Sequence, residues 1–196
     1  VHLKGSILNK MPGSYEDKFA GERALLGYMY AHPGKKLNFM GYEIAQFKEW
    51  NYLSSIEFDL RKFEKHRQMS VFVKALNAFY RENKPLYEVD DSWNGFEWLV
   101  VDDKTNNVLA FTRYDADGQS ITAVINFSGI DLFGYGIGIA EGKYRVVFNT
   151  DAKRFGGYGK ISKRIYKTVK KTSHGKENSI IIDIPKLTCI YLKKEN

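Results

Sequence analysis

Near Pro85 the hydrophobic period of this 196-residue chain changes from helical to alternating, and that change limits the possible folds more than any other feature. Ahead of Pro85, apolar residues recur at every third or fourth position. Beyond it, short apolar runs are separated by turn residues. A chain of this length makes one large domain or two small ones. The change is read as a boundary between residues 1–84 and 85–196.

The first part predicts two helices. Ser14 is placed to cap a helix with Glu16 and Asp17 in its first turn, running to about Ala31. From Ala24 to Ala31 that helix is apolar nearly all round, the pattern of a helix buried on every side, and His32-Pro33-Gly34 stops it. A second helix is expected from Gln68 to Glu82. Met69, Phe72, Val73, Leu76, Phe79 and Tyr80 form one apolar stripe there, with Lys74, Asn77 and Arg81 opposite. Between the helices, Leu37 to Met40 reads as a short buried strand ending at Gly41. A polar and aromatic set follows at once: Tyr42, Glu43, Gln46, Lys48, Glu49 and Trp50. The loop then continues to Arg67, and long loops of this kind are often functional. Helix, strand, loop, helix is a piece of α/β architecture, but one short strand cannot make a sheet.

The second part predicts strands at Phe96 to Val101, Val108 to Tyr114, Ile121 to Phe127, Tyr144 to Asn149, Ser179 to Ile184 and Thr188 to Leu192. Asp115-Ala116-Asp117-Gly118 reads as a hairpin turn. Strands at this spacing suggest an all-β antiparallel sandwich of ~100 residues. Gly156-Gly157-Tyr158-Gly159 marks a loop, and no Lys-Ser/Thr pair follows it in the frame of a phosphate loop.

Composition and spacing narrow the chemistry. No apolar run approaches the ~20 residues of a membrane-spanning helix, and no charged-then-apolar signal segment opens the chain. Cys189 is the only cysteine and lies in an apolar run, which suits a buried thiol in a reducing cytoplasm. The net charge of +7 owes much to Lys160, Lys163, Arg164, Lys167, Lys170, Lys171 and Lys176. Ile161, Ile165, Tyr166 and Val169 interrupt them, so lysines guarding a strand edge are expected rather than a nucleic-acid surface. His2, His32, His66 and His174 are scattered without metal-ligand spacing. No Gly-x-Ser-x-Gly elbow occurs, and Asp102-Asp103 reads as turn chemistry. No cofactor or metal is called for.

Candidate contacts to a ligand remain at Glu43, Gln46, Trp50 and Trp93. Glu43 either accepts hydrogen bonds from sugar hydroxyls or caps its own loop. Trp50 either stacks on a sugar ring or covers the mouth of a barrel. Trp93 lies in a polar loop and is a better surface platform than Trp98, which sits inside a predicted strand.

"KMPGSYEDKFAGERALLGYMYAHPGKKLNFMGYEIAQFKEWNYLSSIEFDL", "NGFEWLVVDDKTNNVLAFTRYD" and "VFNTDAKRFGGYG" together resemble the 1,4-α-glucan (glycogen) branching enzymes of the α-amylase superfamily. Met11-Pro12-Gly13, Phe39-Met40-Gly41-x-Glu43 and Phe96-Glu97-Trp98-Leu99-Val100-Val101-Asp102-Asp103 carry the resemblance. It implies an α+β fragment: the last helix-strand-helix portion of a TIM-type (β/α)8 barrel, with Lys36 to Gly41 as its eighth strand, followed by the C-terminal β-sandwich. It also implies a retaining transfer of α-1,4-glucan segments onto 6-hydroxyls, by an aspartate nucleophile, a glutamate acid–base and a second aspartate. In the family the last of these lies in a Ser-His-Asp-Glu motif ahead of a Val-Val-His-like segment. Val1-His2-Leu3 therefore implies that all three carboxylates lie upstream, that this chain holds no catalytic residue, and that it comes from a longer protein. Tyr42 stands where many relatives carry Asn or Gly, and Ile44 replaces a common Phe. The implied partner is an α-glucan. Alone, the chain is expected to be inactive and to self-associate through apolar surface at Leu37 to Met40 and the first helix. The alternative is a stand-alone glucan-binding module.

Overall fold

The computed structural model describes residues 4–162 and 164–195; His2 and Lys163 lie outside them. The chain opens with a one-turn helix, α1 (Ile7–Lys10), which the sequence pattern does not announce. It is followed by α2 (Tyr15–Ala31), capped as expected: the Ser14 hydroxyl accepts the Asp17 N–H at 3.1 Å. α3 (Glu64–Glu82) starts four residues ahead of the expected Gln68 and buries Met69, Phe72, Val73 and Leu76.

Eight strands follow: β1 (Phe96–Asp103), β2 (Val108–Tyr114), β3 (Ser120–Asn126), β4 (Leu132–Gly138), β5 (Lys143–Asn149), β6 (Ile165–Lys167), β7 (Ser179–Ile184) and β8 (Thr188–Glu195). They form an antiparallel sandwich. One sheet has the order β1-β2-β3-β8-β5-β6 and the other is the pair β4-β7. The expected strands all appear, and the Asp115 turn closes β2 onto β3 with its Gly118 at φ 78°. Two strands were not expected. β4 carries Gly134, Gly136 and Gly138, so its apolar alternation is diluted. β6 is three residues long and flanked by basic side chains. It is the edge of the large sheet, where exposed lysines discourage further pairing.

Alternation explains how the large sheet is covered on both faces. On β2, Ala110 faces the small sheet while Phe111 faces the helices; on β8 the same holds for Ile190 and Tyr191. One core lies between the sheets, around Val124, Ile137, Ile180, Ile182 and Leu192. The other joins Phe72 and Phe79 of α3 and Leu26 of α2 to Phe111, Phe148 and Tyr191. α2 crosses β8 so closely that a Cβ on Gly27 would sit 2.8 Å from that of Cys189. The Tyr191 hydroxyl donates to the Gly27 carbonyl at 2.5 Å. Cys189 is buried, and that burial pushes its thiol far above the ordinary range.

Two expectations need correction. Lys36 to Gly41 is not a strand: residues 35–39 carry no regular secondary structure and no ladder partner among the described residues, and Leu37 is 71% exposed. Extended backbone becomes a strand only when a second strand takes its N–H and C=O groups. Nor is α2 buried on every side, because Leu25, Tyr28 and Met29 remain half-buried.

The helices and the sheet are also joined by a buried cation. Arg113 of β2 is fully buried. Its guanidinium donates to the carbonyls of Gly95 at 3.1 Å, Ala31 at 2.9 Å and Leu86 at 3.4 Å, and it pairs with Asp90 at 2.5 Å. The end of α2, the link after α3 and the entry to β1 thus converge on one side chain.

Candidate functional site

The stretch from Gly41 to Trp50 is held by its own backbone and by α3. Gly41 sits at φ 90°, and Ala45 adopts the left-handed region at φ 52°. The Gln46 N–H donates to the Gly41 carbonyl at 3.1 Å. From α3, the Ser70 hydroxyl donates to the Glu43 carbonyl at 3.1 Å, and His66 Nδ1 lies 2.8 Å from the Ile44 carbonyl. A tight turn anchored at both ends fixes the direction of each side chain it carries.

Gln46 is 6% exposed and its amide is engaged at both ends. Nε2 donates to the Lys48 carbonyl at 2.9 Å, while Oε1 accepts the Glu57 N–H at 3.3 Å. Trp50 stands edge-on to Phe39, 5.5 Å between centroids. With Gly5, Ser6, Lys10 and Tyr42 these two rings line a cavity of about 220 Å³ that Gln46 also borders. The cavity joins segments forty residues apart, and Glu49 ties them by accepting the Gly5 N–H at 2.8 Å. An aromatic wall facing charged and hydroxyl groups is the composition that grips a sugar, whose ring has an apolar face and a polar rim.

Glu43 points elsewhere. Its carboxylate accepts the Gly41 N–H at 3.0 Å, and the residue borders a separate 500 Å³ groove along α3 with Phe58, Arg61, Lys74, Asn77 and Arg81. Trp93 belongs to a third place. It sits on a short 3₁₀ turn, Trp93–Gly95, is 80% exposed, and borders a 340 Å³ cavity with His32, Pro33, Asp91 and Trp98. Trp98 is half-buried, packed against Phe96 at 4.9 Å and Phe111 at 5.4 Å. The structure therefore brings Gln46 and Trp50 together and separates both from Glu43 and Trp93.

Sequence pattern overlooks Lys10 and His32 as lining residues, because nothing local announces a contact across forty or sixty residues. Asp102-Asp103 does serve a turn: Asp103 accepts the Asn106 N–H at 3.0 Å. Carboxylates are sparse in the cavities. The Trp50 cavity has Glu49, and the Trp93 cavity has Asp91 and the Arg113-bound Asp90. Among the described residues no group of three His, Cys, Asp or Glu could hold a metal. No helix among the described residues is long and apolar enough to cross a membrane.

Residues 98–195 match the family model described as "Alpha amylase, C-terminal all-beta domain". The chain belongs to that family. As a member of the alpha-amylase C-terminal all-beta domain family, it is similar along its whole length to curated proteins named 1,4-alpha-glucan branching enzyme GlgB. It is 44% identical to that of Aquifex aeolicus (strain VF5), covering 100% of this chain and 31% of the relative. It is 42% identical to that of Halothermothrix orenii, with the same coverage, and 42% identical to that of Photobacterium profundum, covering 98% and 27%. The chain thus spans about a third of the length of these relatives, and the match falls in their C-terminal part. Two solved structures share the fold: a pullulanase of Anoxybacillus sp. LM18-11 (TM-score 0.63, 12% identity) and one of Bacillus acidopullulyticus (TM-score 0.67, 10% identity). Each covers 97% of this chain, but the chain spans only 26% and 23% of them.

Proposed function

We propose that this chain is the C-terminal part of a cytoplasmic 1,4-α-glucan branching enzyme and contributes glucan contacts rather than catalytic carboxylates. The observation that carries the reading is the whole-length likeness, 42–44% identical, to three branching enzymes. On this reading residues 1–84 close a (β/α)8 barrel, residues 85–196 form the sandwich that braces it, and Lys36 to Gly41 becomes a strand once barrel neighbours supply its partners. A retaining glycosyl transfer needs two carboxyl groups facing each other about 5 Å apart across the scissile bond. The Trp50 cavity has a single carboxylate, already engaged by a backbone N–H. Its part is to hold a sugar unit against Trp50 while chemistry proceeds on residues outside this chain, with Glu43 and Gln46 shaping the turn that carries the ring. Incubated with amylose, the chain alone should leave the iodine absorbance unchanged; branching by it would sink the assignment of catalysis elsewhere.

The exposure of Trp93 favours a second reading, glucan binding by the isolated chain. Its indole, beside half-buried Trp98, offers a flat apolar face next to the carboxylate of Asp91. In a glycogen-containing gel the chain should migrate more slowly than in a plain one, and Trp93→Ala should abolish most of the retardation. Equal mobility in both gels would remove this reading. Leu37, Tyr52 and Leu53, each more than 70% exposed, also favour self-association of the isolated chain. Light scattering should show a mean mass that rises with concentration, and a constant monomer mass would contradict it.

A further inference from the structure

We propose that the groove along α3 seats an acidic segment of the part of the branching enzyme that relatives carry outside the matched third, through Arg61, Lys74 and Arg81. The inference rests on the branching-enzyme reading above. Ser70, Lys74, Asn77 and Arg81 are spaced four, three and four residues apart, so they share one face of α3. Arg61 joins them from the 3₁₀ turn Phe58–Lys62, its guanidinium 5.2 Å from the Phe58 ring. None of the three cations has a carboxylate partner among the described residues. The one carboxylate in the groove, Glu43, already accepts the Gly41 N–H. Asn77 accepts the Tyr30 hydroxyl at 2.7 Å through Oδ1, which leaves its NH₂ free to donate. The groove therefore offers donors and positive charge and asks for acceptors and negative charge.

Its other feature argues for a polypeptide rather than a small anion. Phe58, 46% exposed, forms part of the groove wall beside the buried Val73. A small anion would satisfy the cations and leave the Phe58 ring wet, whereas a polypeptide segment carries apolar as well as acidic side chains and covers both. The relatives are about three times as long as this chain, so enough polypeptide exists to cover both.

The test is a single polypeptide joining the unmatched part of the Aquifex aeolicus relative to this chain, compared with this chain alone. The wild-type chimera should unfold in one transition. The triple variant Arg61→Glu, Lys74→Glu, Arg81→Glu should split it into two, and the neutral triple to Gln should lower its midpoint. The isolated chain should move by about 2 °C or less with either triple, as exposed, unpaired side chains do. Two transitions in the wild-type chimera, or equal shifts in chimera and isolated chain, would overturn the proposal. So would a rise in the isolated chain's midpoint with inorganic phosphate while the chimera ignores the triple, which would assign the groove to a small anion. A chimera that unfolds as one unit yet does not branch amylose would refute the functional reading and leave the docking result standing.

Discussion

Replacing Asp90 with Ala should lower the stability of the chain by about 3–5 kcal/mol, because it leaves the Arg113 charge buried and uncompensated. For a chain of this size that is a fall in melting temperature on the order of 10 °C. Arg113→Met should cost a similar amount for a different reason. It strips four carbonyls, of Ala31, Leu86, Val89 and Gly95, of a donor they share, and a buried acceptor left unsatisfied costs about 1–3 kcal/mol. Arg113→Lys should not rescue it. A guanidinium reaches several directions from a planar fork, whereas an ammonium is a compact point charge on a flexible stem. Thermal unfolding followed by circular dichroism decides the matter, and an Asp90→Ala midpoint within about 2 °C of wild type would show that the pair is not holding the helices to the sheet.

The second large effect depends on pH. Glu22 lies in α2 with no solvent exposure, and neither carboxyl oxygen has a hydrogen-bond partner among the described residues. Burial raises its carboxyl from 4.5 to about 8, against the opposing pull of neighbouring Arg23. The folded state thus holds the proton more tightly than the unfolded chain. Glu22's contribution is fully present below about 4.5 and is lost as pH rises through about 8, at about 1.4 kcal/mol per pH unit in between. Urea midpoints of the wild type should therefore fall between pH 5.5 and 8.5, while those of Glu22→Gln, which cannot ionise, should fall much less. Parallel curves for the two proteins would mean that Glu22 is ionised and partnered when folded.

Local signals were the legible ones. The Ser14 cap, the stripe of α3 and the hairpin at Asp115 depend on residues within a few positions of one another, and each reappears in the structure. β4 was hidden because glycine at every second position removes the side chains that alternation is read from. The candidate site was legible only as a stretch. Its composition marked 41–50, but composition carries no direction. It could not show that Gln46 turns inward to bond Lys48 and Glu57, that Glu43 faces α3, or that Trp50 shares a cavity with Lys10.

By itself, then, the sequence determined the two long helices of the first part, most strands of the second and the antiparallel class of the sandwich, because period and turn chemistry are properties of neighbouring residues. Only the tertiary structure decided that both faces of the large sheet are covered, that Arg113 collects three chain segments, and that the four candidate contacts fall into three separate places. Those outcomes depend on residues tens of positions apart, and at 35–39 no described strand lies alongside to make a ladder.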